Sequence, residues 1–222
     1  MTWKQFFTSS IGKKILMALT GFFLIIYLIV HAALNALIFV NDDGKTFNAG
    51  AYFMLHNYIV RFLEIGLFAV FILHIIQGLM LWQQNKSARK INYNKVEYPA
   101  GINWNSRLMG WLGTFVLLFL VMHLYHFWAS TKHELYFHGP AIDLYQEMKE
   151  IFTNPVWFTL YMIGLASLLF HLLHGFKSAF ETFGVNNKRW TPIIKGIGIF
   201  YSVAICLLFA SMPLAFMVGW LQ

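Results

Sequence analysis

Residues 15–40 read ILMALTGFFLIIYLIVHAALNALIFV, a run with no Asp, Glu, Lys or Arg. A bilayer core of roughly 30 Å takes about 20 apolar residues in a helix, so this run reads as a membrane span. It is too long for the apolar centre of a signal peptide, and the expectation is that it stays in the protein. His31 lies inside it.

Four further runs have the same character. The spans are expected near 12–40, 58–84, 107–130, 156–180 and 193–219, giving an all-α integral membrane protein, one five-helix bundle over 1–222. Composition agrees: 59% of the 222 residues are hydrophobic and 11% charged, against about 25% charged in soluble domains. The connections are polar. Asp143 to Glu150 reads as a short surface helix, and Pro155 and Pro192 stand where helices begin.

The basic pI of about 9.5 does not point to nucleic acid, because Lys and Arg sit in short clusters between apolar runs. Of the 16, twelve fall in the N-terminus, the second and fourth loops and the adjoining helix ends. The positive-inside rule then predicts a cytoplasmic N-terminus and an outer C-terminus. Six of the nine acidic residues lie in the outer loops, and all eight tryptophans fall near expected helix ends, as an interfacial belt requires.

Nine histidines are present, and His31, His74, His123, His126, His171 and His174 fall within spans. One intramembrane histidine is explained by a hydrogen bond to a neighbouring helix. At least one on each of four successive helices points to a shared task. At 1.5 Å of rise per residue, His31 lies about 27 Å beyond Lys13 and His123 about 24 Å beyond Arg107, both toward the outer side. His74 lies about 13 Å before Gln83 and His171 about 9 Å before Lys177, both toward the inner side.

Two levels with two imidazoles each match two bis-histidine b haems. Zinc normally needs three or four protein ligands. The lone cysteine, Cys206, leaves no CxxCH attachment, thiolate zinc or iron–sulfur site within this chain, so haem would be held non-covalently. His74-Ile-Ile-Gln-Gly78 and His171-Leu-Leu-His-Gly175 each place glycine one turn after histidine. This allows a flat macrocycle to approach the backbone, and equally allows close helix packing. Depth disfavours His174, near the inner surface, and leaves His123 and His126 equivalent.

These stretches resemble a known family. Ile29-Val30-His31-Ala32, Leu63-Glu64-Ile65, His74-Ile75-Ile76-Gln77-Gly78, Asn105-Ser106-Arg107-Leu108-Met109-Gly110, His123-Leu124 and Phe170 to Ser178 ending at Phe183-Gly184 are similar to the single-subunit, five-helix di-haem cytochrome b anchor of succinate dehydrogenases and fumarate reductases. The resemblance covers nearly the whole chain. It implies one ligand on each of the first four helices: His31 and His123 for a distal haem, His74 and His171 for a proximal one.

The resemblance further implies a flavoprotein subunit with FAD, an iron–sulfur subunit docked on the basic inner loops, and quinone, with menaquinone expected, reacting in the membrane. The location implied is a bacterial cytoplasmic membrane, and the assembly expected is a dimer of heterotrimers. The chain is then a subunit of a succinate:quinone oxidoreductase that does not itself bind dicarboxylate. One departure stands out: some fumarate reductase anchors carry a proton-conducting glutamate two residues before the fourth-helix ligand, where this chain has Leu169.

Glu64, an intramembrane carboxylate near the outer side, is a candidate for proton exchange with quinone; pairing with Arg61 one turn earlier is the structural alternative. His56 is a second quinone-site candidate, and His126 a supporting group. For proximal-haem propionates the candidates are Arg107 and Lys177, with Ser106 and Lys13 behind them. Two other readings remain: the di-haem quinol-oxidising anchor of another complex, such as respiratory nitrate reductase, and a transporter or scaffold whose histidines bind no cofactor.

Overall fold

The computed structural model describes residues 9–40, 42–87, 104–137, 139 and 143–221, with side chains of the third span from 108 onward. Every regular element among them is helical. In chain order they are α1 (Ser10–Asn35), running on as a 3-10 turn (Ala36–Val40); α2 (Lys45–His56); α3 (Tyr58–Ser87); α4 (Trp104–His123), running through a π-helical stretch (Leu124–Ala129) into α5 (Ser130–Phe137); α6 (Leu144–Thr153); α7 (Pro155–Thr182); and α8 (Trp190–Met217).

Five spans are long and apolar enough to cross a membrane: Ser10–Val40, Tyr58–Ser87, Leu108–Phe137, Pro155–Thr182 and Trp190–Met217. They match the expected spans to within a few residues, except that the third runs on past 130 to Phe137. The outward faces suit lipid: Phe62 is 75% exposed, Ile65 72% and Phe200 77%. Such an apolar surface is not stable against water.

Local chemistry sets the helix ends. The Ser9 hydroxyl accepts from the Gly12 amide at 3.0 Å to open α1. Asn154 caps α7 through the amides of Val156 and Trp157, with Pro155 in the first helical position. At its other end, Val185 N–H bonds to Phe180 O and Gly184 N–H to Glu181 O, both at 3.1 Å. That is a Schellman closure, and Gly184 has the left-handed φ of 83° it needs. The acidic stretch forms α6, with Asp143 as its cap. The first loop also folds, into α2, entered through Gly44 at φ 76°.

α7 is the centre of the bundle, packed on α4, α8 and α1. Tyr201 Oη of α8 donates to Ile25 O of α1 at 2.7 Å. At the end where α1 finishes, α2 and α6 close the bundle over a core of Ile38, Phe47, Met148, Phe152, Tyr161 and Phe216. α3 differs from the rest. Apolar around its circumference, it has no buried residue, because the space between it and α1, α4 and α7 is a cavity.

Candidate cofactor cavity

The cavity holds 1540 Å³, more than the roughly 300–1,000 Å³ of a single small-molecule site. Its walls are mostly apolar, and His31, His74, His123 and His171 all line it, one from each of four spans. Their rings form two pairs. His31 and His123 have centroids 5.8 Å apart at 90°; His74 and His171 have centroids 6.3 Å apart at 65°. Thr20 of α1 touches His74, so the inner pair sits at the level of position 20. His31 lies eleven residues further along α1, about 16 Å of rise.

These separations suit a shared metal. An imidazole nitrogen sits about 2 Å from a bound metal, and a five-membered ring with bonds near 1.35 Å has a radius of about 1.1 Å. Two such ligands on opposite sides of one ion put their centroids about 6 Å apart. Nδ1 of both His123 and His171 is buried without a hydrogen-bond partner among the described residues, so neither ring is held through that nitrogen there. Each pair of imidazoles could hold one metal-centred macrocycle such as haem, and the apolar walls would box it.

His126, three residues from His123, is turned elsewhere. The π-helical stretch begins at Leu124 and widens the turn by one residue. His126 is buried at 8% exposure and does not line the cavity. Its Nδ1 meets Tyr161 Oη at 3.1 Å, and its ring lies edge-on to Trp157. His174 does line the cavity. Gly78 and Gly175 line it as well; a Cβ at either would meet only methionine methyls, Met17 at 3.5 Å and Met109 at 3.8 Å.

Near the start of α3, Glu64 is held by Arg61 at 3.1 Å, by Lys132 at 3.1 Å and by the Trp128 indole N–H. The Arg61 pairing read from sequence is present, Lys132 and Trp128 join it from the third span, and all four residues line the cavity. Two cations face one carboxylate, so the cluster carries a net positive charge. His56 is not part of it: it lies exposed on α2, stacked on Tyr52, and does not line the cavity.

At the opposite end, Lys177 does not reach the cavity wall and pairs with Glu181 at 3.1 Å. The side chains of Arg107 and Ser106 lie outside the described residues. Lys13 is not in the wall, whereas Lys14 and Lys86 are. Their signal in the sequence was the same basic clustering, which does not say which neighbouring lysine turns inward.

Comparison with family models, with curated proteins and with solved structures finds no match.

Proposed function

We propose that this chain is the di-haem cytochrome b membrane anchor of a succinate:quinone oxidoreductase, carrying electrons between an iron–sulfur subunit and membrane quinone. The observation that carries the reading is the pair of facing imidazoles at each of two levels in one apolar cavity, with centroids 5.8 and 6.3 Å apart. His31 and His123 would hold the iron of one haem at the outer level, and His74 and His171 that of a second at the inner level.

Bound haem supplies one-electron chemistry; the chain provides the rest. Its four imidazoles would hold the two irons, and the apolar walls would exclude water. Glu64, held among Arg61, Lys132 and Trp128, is the carboxylate that handles quinone protons at the outer end. Lys14 and Lys86 join Arg107 as inner-side counter-charges for haem carboxylates, while Lys177, tied to Glu181, is the weaker candidate.

The N-terminus is cytoplasmic in this reading, and the basic inner loops dock the iron–sulfur subunit, which receives electrons from or passes them to an FAD-bearing flavoprotein. The membrane is the bacterial cytoplasmic membrane. The choice of dicarboxylate complex rests on the sequence resemblance and not on the cavity. Purification with native partners tests it: co-purifying flavoprotein and iron–sulfur subunits with succinate–quinone activity support it, and a molybdenum-containing nitrate reductase as partner contradicts it.

A further inference from the structure

We propose that Thr20 is a positioning residue for His74: its hydroxyl accepts the His74 Nδ1–H and leaves Nε2 as the electron-pair donor of that ring. The inference rests on the haem reading above and adds to it a residue that sets which nitrogen binds and how the ring is turned.

The argument is a count of hydrogens. Thr20 Oγ1 lies 2.9 Å from Leu16 O, 3.0 Å from Met17 O and 3.1 Å from His74 Nδ1. A hydroxyl has one hydrogen and two lone pairs, and a carbonyl oxygen only accepts. We assign the hydroxyl hydrogen to the two backbone carbonyls of its own helix, which at 2.9 and 3.0 Å are its nearer acceptors. The contact with His74 forms only if Nδ1 carries the proton and donates. A neutral imidazole has one N–H, so Nε2 holds the free pair.

Thr20 is 6% exposed, so the contact is made by a buried hydroxyl. Its neighbour Gly21 also faces the ring, and a Cβ there would lie at ordinary contact distance, 3.5 Å from His74 Cε1.

The partner ring has no such support. Gly113 of α4 faces His171 in the same way, with a Cβ 3.8 Å from Cε1. The adjacent Thr114 hydroxyl, however, is bonded to Gly110 O at 2.9 Å, and His171 Nδ1 has no partner among the described residues. Among the described residues the inner site thus has one anchored ligand and one unanchored ligand. A hydrogen bond from Nδ1–H raises the basicity of the ligating nitrogen and favours ferric over ferrous iron.

The test uses the full-length chain purified with its haem. Thr20→Val removes the acceptor at nearly constant shape, and Thr20→Ser keeps it. Losing such an outer partner typically weakens metal binding about 10–100-fold. Thr20→Val is expected to lower haem retention at the inner site by about tenfold. The inner haem midpoint potential should rise correspondingly, a tenfold loss of ferric preference being about 59 mV for one electron. The outer haem should not change, and Thr20→Ser should behave as wild type.

Unchanged occupancy and potentials in Thr20→Val overturn the proposal. If that variant does not accumulate, the wild type carries the test. Electron–nuclear double resonance in deuterated water should find an exchangeable Nδ1 proton on each inner imidazole, hydrogen-bonded on one ring and not on the other; two equivalent Nδ1 protons overturn it. A wild-type chain without haem fails the underlying reading, and this inference with it, which is distinct from a two-haem protein indifferent to Thr20.

Discussion

The His31 and His123 rings stand at 90° with centroids 5.8 Å apart, although 92 positions separate them in the chain. Each is boxed by aromatic rings: Tyr27 stacks on His31 at 5.4 Å, and Phe119 stacks on His123 at 5.8 Å. The two rings are thereby turned toward the same space. The first prediction follows from this relationship and its inner counterpart. Each of His31→Ala, His74→Ala, His123→Ala and His171→Ala should lower haem content from two to one per chain. His126→Ala should retain two, because His126 faces Tyr161 and not the cavity. Haem assay of the purified variants checks this; a one-haem His126→Ala beside a two-haem His123→Ala reverses the assignment on the third span.

Tyr161→Phe deletes the hydroxyl that meets His126 Nδ1 and leaves a buried polar nitrogen unsatisfied. The expected cost is about 1–3 kcal/mol of stability, with both haems retained. Thermal unfolding followed beside the haem spectrum separates the two effects. Loss of a haem at unchanged stability would place Tyr161 in the cofactor site instead.

Glu147 of α6 makes a pH prediction outside the membrane spans. Burial, with help from Glu134 and Glu150, raises its carboxyl above the ordinary value of 4.5, against the lowering effect of its bond to Ser130. That hydroxyl also meets His126 O. A group whose folded pKa is raised binds its proton more tightly in the folded state. Its contribution to stability is then complete below pH 4.5 and is lost as pH rises through the raised value. Wild-type stability should fall across that window, and Glu147→Gln should flatten the profile. Melting curves against pH for the two proteins decide it; parallel profiles remove Glu147 from the account.

Glu64→Gln should slow quinone turnover while leaving the haem spectrum unchanged, because Glu64 sits at the cavity mouth with Arg61, Lys132 and Trp128. Lys132→Met should weaken quinone turnover less, since Arg61 still holds the carboxylate. Steady-state quinone reduction with haem content measured on the same samples checks both. A Glu64→Gln protein with full turnover assigns the carboxylate to ion pairing alone.

Much of this arrangement was legible in the chain, for physical reasons. Spans declare themselves through hydropathy, and constant helical rise converts positions 31, 74, 123 and 171 into depths, so both pairs were readable before any coordinates. Contacts that depend on helix rotation were not. No residue pattern marks the π-helical turn after His123, so depth left His123 and His126 equivalent and only the resemblance chose between them; the fold turns His126 to Tyr161. Glu64 was readable as costly, and Arg61 as a neighbour one turn away. Lys132 and Trp128 reach it from another helix 64 to 68 positions on, a distance over which sequence carries no angle. α2 was missed because a short amphipathic helix between polar residues looks like a loop. The inner lysines could be counted but not aimed, and Lys177 turned to Glu181.

The most direct test of the central claim is the reduced-minus-oxidised visible spectrum of the purified chain, with haem quantified per polypeptide. The account predicts b-type bands at two haems per chain. A colourless protein at full occupancy of the membrane fraction would contradict it and return the four histidines to helix packing.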